Sequence, residues 1–412
     1  MSSATLRLPG HLAHPFSPTG RVDPHPAYRW LRTYAPVYQD PATRMWLLTS
    51  HADCSAALRS DAFSAAQGQQ GRARDDALPP SMLTTDAPDH HRLRAPGGLL
   101  LGPEAIRSVA AGIGREVDAL LERSGGRPGE LDAATGIGEP LATAVYARLF
   151  GLEDAERPRF EELARAVSVN LDPMAGPATA AAGRAAMGEL SRYLDAVARR
   201  HAETGFDCPL SRLAADDRLT RPEMLGILGL AVVGGWQPLA ETVGNALYWL
   251  LPRPAAVESL RRAGDRAART AVDELLRLEA PIPFTARVTT REVELPGGRV
   301  PAGARVLAVL AAANRDPAVF ERPDELLLDR SPNPHLAFGG GPHFCLAAVL
   351  VRQTGALLLP RLLRRFPGVA AHQDRARWDD RVLPRRLAEY PLELGPHRPD
   401  AGARNTHDDM EA

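Results

Sequence analysis

Phe338-Gly339-Gly340-Gly341-Pro342-His343-Phe344-Cys345-Leu346-Ala347 is the stretch on which the reading of this chain turns. Three glycines and a proline bend the backbone tightly, and one cysteine then stands directly before an apolar run, residues 349–366, of helical character. A thiolate at a helix N-terminus is stabilised by the free N–H groups and the helix dipole. Glycines let backbone approach the sulfur closely. A lone buried cysteine is more often a small hydrophobe; here the surrounding pattern favours a soft-metal ligand.

The composition leaves room for such a site and closes others. A chain of 412 residues with 44% hydrophobic and 24% charged residues builds a real core. Forty-nine basic against fifty acidic residues give a formal charge of -1, so nothing global argues for nucleic acid or an anionic membrane. Every basic residue is arginine, which excludes a Schiff-base lysine, a P-loop lysine and a lysine base. Three cysteines, Cys54, Cys208 and Cys345, do not make a disulfide framework. The N-terminus lacks the apolar core of a signal peptide, and the apolar run 224–251 is broken by Gly234-Gly235, Gln237-Pro238 and Glu241. The expectation is a soluble, cytoplasmic protein.

Outward from the cysteine, the pattern is mainly α with small β-sheets in a single large domain. Helical spacing covers 52–59, 103–202, 221–251 and 265–278, and strand-like pieces fall at 46–49, 286–290, 293–295 and 305–310. The opening segment to about residue 28 reads as extended, residues 67–80 as a polar loop, and the tail from 395 as disordered.

At this point the chain resembles the cytochrome P450 family, especially its soluble bacterial members. Phe338 to Cys345 matches that family's haem-binding loop, with Cys345 at the position of the axial thiolate to haem b, and Ala347 stands where glycine is usual. Glu274-Leu275-Leu276-Arg277 matches the family's Glu-x-x-Arg helix, and Arg330 falls where the third member of its buried ion network belongs. His90 and Arg94, four apart on one helix face, match a pair that holds a haem propionate, and Arg287 and His343 match the remaining propionate contacts. The resemblance implies a P450 fold over residues 15–394, a short extension at 1–14 and a tail at 395–412. It also implies ferredoxin and a ferredoxin reductase drawing on NAD(P)H as electron donors, a small-molecule substrate, no nucleic acid, no membrane and a monomer.

Two departures matter. The family's central helix carries an acid and an alcohol that relay protons to dioxygen, but the aligned stretch is Gly234-Gly235-Trp236-Gln237-Pro238, with Asn245 eight residues beyond Gln237. Gln237 thus stands for the acid and Pro238 for the alcohol; a competing register would use Glu241-Thr242. Proline cannot donate to the carbonyl of Gly234 and should kink the helix there. Glu241, one turn on, could supply protons. Either the substrate or an ordered water donates the proton, or the chemistry is coupling, rearrangement or peroxide-driven oxidation; a non-redox isomerase or binding module is the reading from another class. The second departure, Pro96-Gly97-Gly98, should end the preceding helix early.

By the same alignment, residues 65–84 roof the pocket and 167–187 form a lid hinged at 173–177. Gly234, Trp236, Ile282, Phe284, Glu389 and Tyr390 are the candidate lining residues, with Trp236 facing either the pocket or the packing. The Ala-, Gly- and Arg-rich usage is similar to that of actinomycete tailoring enzymes and suggests a bulky secondary metabolite, in antibiotic biosynthesis for instance.

Overall fold

The computed structural model describes residues 7–66, 81–125 and 130–397. Nine helices carry the architecture: α1 (Asp89–Leu101), α2 (Pro103–Gly125), α3 (Glu139–Phe150), α4 (Arg157–Val167), α5 (Pro177–Thr204), α6 (Arg221–Ala231), α7 (Gln237–Leu250), α8 (Asp265–Glu279) and α9 (Ala348–Arg365). Their ends follow local chemistry. Thr220 and Glu223 form a reciprocal capping box before α6, while Gly151 and Gly205 take the left-handed conformation that closes α3 and α5.

The main core gathers around α7, whose Leu239, Ala240, Val243, Leu247 and Leu250 are all buried. The run Arg221–Leu250 is long and apolar enough to cross a membrane, yet 67% of its most apolar window is buried within the fold. It is a core helix because other helices cover it. A five-stranded sheet lies to one side, in the order Val37–Gln39, Trp46–Leu48, Arg305–Ala308, Thr285–Thr289, Phe63–Ser64. Trp46–Leu48 pairs parallel with Arg305–Ala308, and the other pairs are antiparallel.

Two expectations are corrected. The opening segment is not extended throughout: Pro18–Val22 and His25–Tyr34 are helices, the second burying Ala27, Tyr28 and Leu31. Nor does Pro96-Gly97-Gly98 end α1, which runs on to Leu101. The helix persists because burial of Leu93, Leu100 and Leu101 outweighs the lost hydrogen bond. Gly97 also lets the backbone close on Met82 and Leu346, whose Cε and Cδ2 would lie 2.8 and 3.3 Å from any Cβ there. The loop 67–80 and the tail beyond residue 397 lie outside the described residues. The first tail residues are packed: His397 sits against Phe366 with ring centroids 5.5 Å apart.

Glu274, Arg277 and Arg330 form a network sealed from solvent. The Arg277 fork donates to both Glu274 oxygens at 2.7 and 2.9 Å, and Arg330 Nε donates to the same carboxylate at 2.9 Å. The remaining guanidinium N–H groups reach the carbonyls of Asn314, Pro323, Glu325, Glu321 and Arg322. Removing one partner of such a network strands buried charge. Glu274→Ala is therefore expected to lower unfolding free energy by about 3–5 kcal/mol in urea denaturation.

Candidate active site

The cysteine loop folds as its glycines demand. Gly339 and Gly341 take φ of 70° and 64°, the left-handed region open to glycine. A side chain on Gly341 would also strike the Leu58 carbonyl. The loop closes when Cys345 N–H donates to Phe338 O at 2.9 Å. From α1, Arg94 Nη2 donates to Phe344 O at 2.6 Å, and from α9 the Arg352 guanidinium lies 4.5 Å over the Phe338 ring. Burial pushes the Cys345 thiol up, opposed by the Ala347 N–H and by the charges of Arg94 and Arg352. The other cysteines are spent in the core. Cys54 donates to Leu48 O at 3.1 Å, and Cys208 accepts from Ser211 N–H at the start of a short helix.

Beside the loop, the four residues expected to meet propionates come together. The His90 and His343 rings lie 4.2 Å apart. His90 is buried with neither ring nitrogen hydrogen-bonded, an unusual state for buried polar atoms. Arg287 is buried and donates to Thr285 Oγ1 and Ala286 O at 2.9 and 2.7 Å. Burial lowers the proton affinity of His90, Arg94, Arg287 and His343 alike, His343 to about 4. Among the described residues no carboxylate pairs with Arg94 or Arg287; Asp86, 4.0 Å from His343, is the acid nearby. Two guanidiniums and two imidazoles with a single carboxylate at their edge fit a dianionic ligand, and the paired propionates of haem would supply that charge.

Across from the sulfur, the long helix is interrupted rather than simply kinked. Val232–Trp236 forms a π-turn within the continuous helix Arg221–Leu250, and Pro238 stands just past it, where the helical hydrogen-bond ladder is already interrupted. Tyr146 satisfies the loosened backbone by donating to Ala231 O at 2.8 Å. Its hydroxyl occupies the space a side chain on Gly235 would need, so that position must be glycine. Burial and then the charge of Cys345 push the Tyr146 hydroxyl up, which places π-turn and sulfur in one electrostatic neighbourhood.

Gln237 and Glu241 are both buried and joined, Nε2 of the first donating to Oε1 of the second. Arg386 Nη1 donates to the same oxygen at 3.0 Å. The Thr242 hydroxyl is spent on Pro238 O at 2.8 Å, and its side chain faces Val272, Leu276 and Leu358 in the helix packing. That leaves the register built on Glu241-Thr242 without a free alcohol.

The expected pocket residues separate. Gly234 is exposed, with nothing nearer to an added Cβ than Leu230 at 3.4 Å, so it borders open space. Ile282 is half-buried. Trp236 is turned into the packing, its indole N–H donating to Thr143 Oγ1 at 3.1 Å. Phe284 packs edge-on against Phe16 in a core cluster, and Tyr390 is buried under Tyr248 with its hydroxyl accepting from Gln373. Glu389 ends the strand Leu387–Glu389, points to solvent and pairs with Arg377. Tyr146, Thr143 and Arg386 were invisible to sequence reasoning, since no local spacing links them to the central helix.

Comparison with known proteins identifies the family. Residues 197–380 match the family described as Cytochrome P450. Nocardicin C N-oxygenase of Nocardia uniformis subsp. tsuyamanensis is 34% identical, over 92% of this chain and 98% of its own. Cytochrome P450 107B1 of Saccharopolyspora erythraea is 30% identical, over 88% and 94%. The crystal structure of CalO2 superposes with a TM-score of 0.86 at 29% identity, covering 93% of this chain and 99% of its own. On these matches, the chain belongs to the cytochrome P450 family of haem-thiolate oxygenases.

Proposed function

We propose that this chain oxidises a bulky secondary-metabolite intermediate, drawing electrons from a ferredoxin and its NAD(P)H-dependent reductase, with residues 15–394 as the haem domain. The observation that carries the cofactor assignment is the cluster of His90, Arg94, Arg287 and His343 beside the Cys345 loop, where among the described residues neither arginine pairs with a carboxylate and His90 has no hydrogen-bond partner. When bound, the haem supplies reductive activation of dioxygen and transfer of one oxygen atom to substrate. Cys345 would supply the thiolate ligand; the Ala347 N–H and the charges of Arg94 and Arg352 oppose the burial that favours its neutral thiol. His90, Arg94, Arg287 and His343 orient the group through its propionates.

Substrate class rests on the kinship with nocardicin C N-oxygenase, whose name gives nocardicin C as what it acts on and nitrogen as the atom oxygenated. The distal helix fits a substrate that brings its own polar group. Gln237 and Pro238 cannot exchange a proton as an acid and an alcohol do, whereas a substrate amine or hydroxyl, or a water it orders, can. Gly234 borders open space beside the π-turn, which leaves room for it. The test is substrate-dependent NAD(P)H consumption with a surrogate ferredoxin system and product identification; turnover with peroxide alone would overturn the partner-driven reading.

Cys345→Ala is expected to abolish the thiolate-type band of the carbon monoxide difference spectrum, and a retained band would remove Cys345 as ligand. Pro238→Thr, placed just past the π-turn where either residue is tolerated, is expected to keep haem content and raise either hydroxylation of non-native substrates or uncoupled oxygen consumption. Unchanged selectivity and coupling in that variant would count against the substrate-assisted reading.

A further inference from the structure

Gln237, Glu241 and Asn245 stand four residues apart and form one polar stripe along α7. Their exposures are 1%, 1% and 2%. A carboxyl on a buried apolar helix is costly unless partnered, and the partner of Glu241 arrives from 145 residues away. Arg386 reaches Glu241 with Nη1 at 3.0 Å, while its Nε donates to Asp379 Oδ2 at 2.8 Å. Arg381 binds the same Asp379 with Nε at 3.2 and Nη2 at 3.0 Å. The side-chain exposures are 1% at Glu241, 16% at Arg386, 15% at Asp379 and 24% at Arg381, so the line leads from the core to the surface. A continuous line of charge-assisted hydrogen bonds therefore runs from solvent to Gln237, the residue standing where the family's acid belongs.

We propose that the segment 379–386 is a proton inlet, in which Arg386 and Asp379 are positioning residues that hold and recharge Glu241, the carboxyl serving the distal side in place of the missing acid-alcohol pair. This rests on the reading that Gln237-Pro238 replaces that pair.

A plain staple between the segment and the helix would need none of this. The segment is already tied to α7 by Asn245 Nδ2 donating to Arg385 O at 3.0 Å, and to α8 by Arg385 Nε on Glu279 at 2.8 Å. Burial raises the Glu241 carboxyl to about 7, against the opposing pull of Arg386 and Gln237 and with a smaller push from Glu139. Glu139 itself, on α3, is held by Arg165 of α4 at 2.6 Å. A group that is half-ionised near neutral pH is matched to proton transfer. Oxygen insertion with release of water consumes dioxygen, two electrons from the reductase chain and two protons. In each transfer the Glu241 O–H bond breaks, the proton passes to a distal water or substrate group, and the carboxylate regains one from solvent when Arg386 swings toward Asp379.

Infrared difference titration of the resting ferric holoenzyme from about pH 5 to about 9 reads this carboxyl without substrate or redox partner. Its band is identified as the one lost in Glu241→Gln. The expected midpoint is about 7. It should rise by on the order of one unit in Arg386→Gln, which removes the neighbouring cation, and fall in Asp379→Asn, which removes an anion. With turnover, product formed per oxygen consumed should drop about tenfold or more in Glu241→Gln and Arg386→Gln. In the parent it should decline as pH rises through the midpoint, where the donor proton is lost. Arg386→Lys should restore part of the coupling. A midpoint unmoved in both Arg386→Gln and Asp379→Asn, or parent-like coupling in Glu241→Gln, overturns the inlet. Absence of oxygenation with every substrate tried would instead count against the proposed function, while the titration still judges the inlet.

Discussion

The carboxylate of Glu274 is the fixed point from which the cysteine loop is hung. It accepts from Arg277 and Arg330 and also from the Leu327 N–H at 3.0 Å and Asn333 Nδ2 at 3.3 Å. Each bond fastens a different part of the segment 321–333, which has no regular structure of its own. Next to it on α8, Asp273 binds His335 at 3.1 Å and Arg352 at 2.7 Å, gripping the chain on both sides of the loop. Asn314 closes the set by accepting from Leu336 N–H at 2.6 Å. The backbone that delivers Cys345 is therefore positioned by ionic hydrogen bonds to one helix, with apolar packing filling in behind. Such a frame fixes geometry tightly because each polar group is costly to leave unpaired.

The fold was readable wherever the signal is local. Glycine and proline placement around Cys345, helical spacing in α7, α8 and α9, and the strand pieces near 286–290 and 305–310 follow from periodicity and turn chemistry. Glu274 and Arg277 are three apart, so their pairing is visible along one helix face. Trp236 was ambiguous, because a helix face does not say which neighbour covers it; Thr143, 93 residues away, decided it. Glu389 and Tyr390 were both assigned to the pocket; the folded chain turns the first to solvent, paired with Arg377, and buries the second against Tyr248. Arg386 carried no motif, and only the folded chain brings it to Glu241.

Pro96 and Pro238 show how context sets the worth of one residue type. A proline in a helix interior costs about 3 kcal/mol in isolation. Pro96 sits in such an interior, and α1 nevertheless continues because three leucines and a close glycine contact hold it in place. Pro238 escapes most of the cost because the π-turn just before it already interrupts the hydrogen-bond ladder. The relaxed turn opposite the sulfur is then shared work: Tyr146 caps the carbonyl, Gly235 makes room for Tyr146, and proline prevents the ladder from closing again.

Helices α4 and α5 are bound to the rest of the fold by guanidinium forks at the rim. Arg157 meets Glu116 of α2 at 2.8 Å, Arg165 meets Glu139 of α3 at 2.6 Å, and Arg159 bridges to Glu189 at 2.7 Å. In the latter two the arginine is about half exposed, so dissolved ions compete for it directly. Salt therefore acts on these two rim pairs, each worth about 1 kcal/mol or less, while buried Phe160, Leu163, Leu190 and Leu194 anchor the helices in the core at any ionic strength.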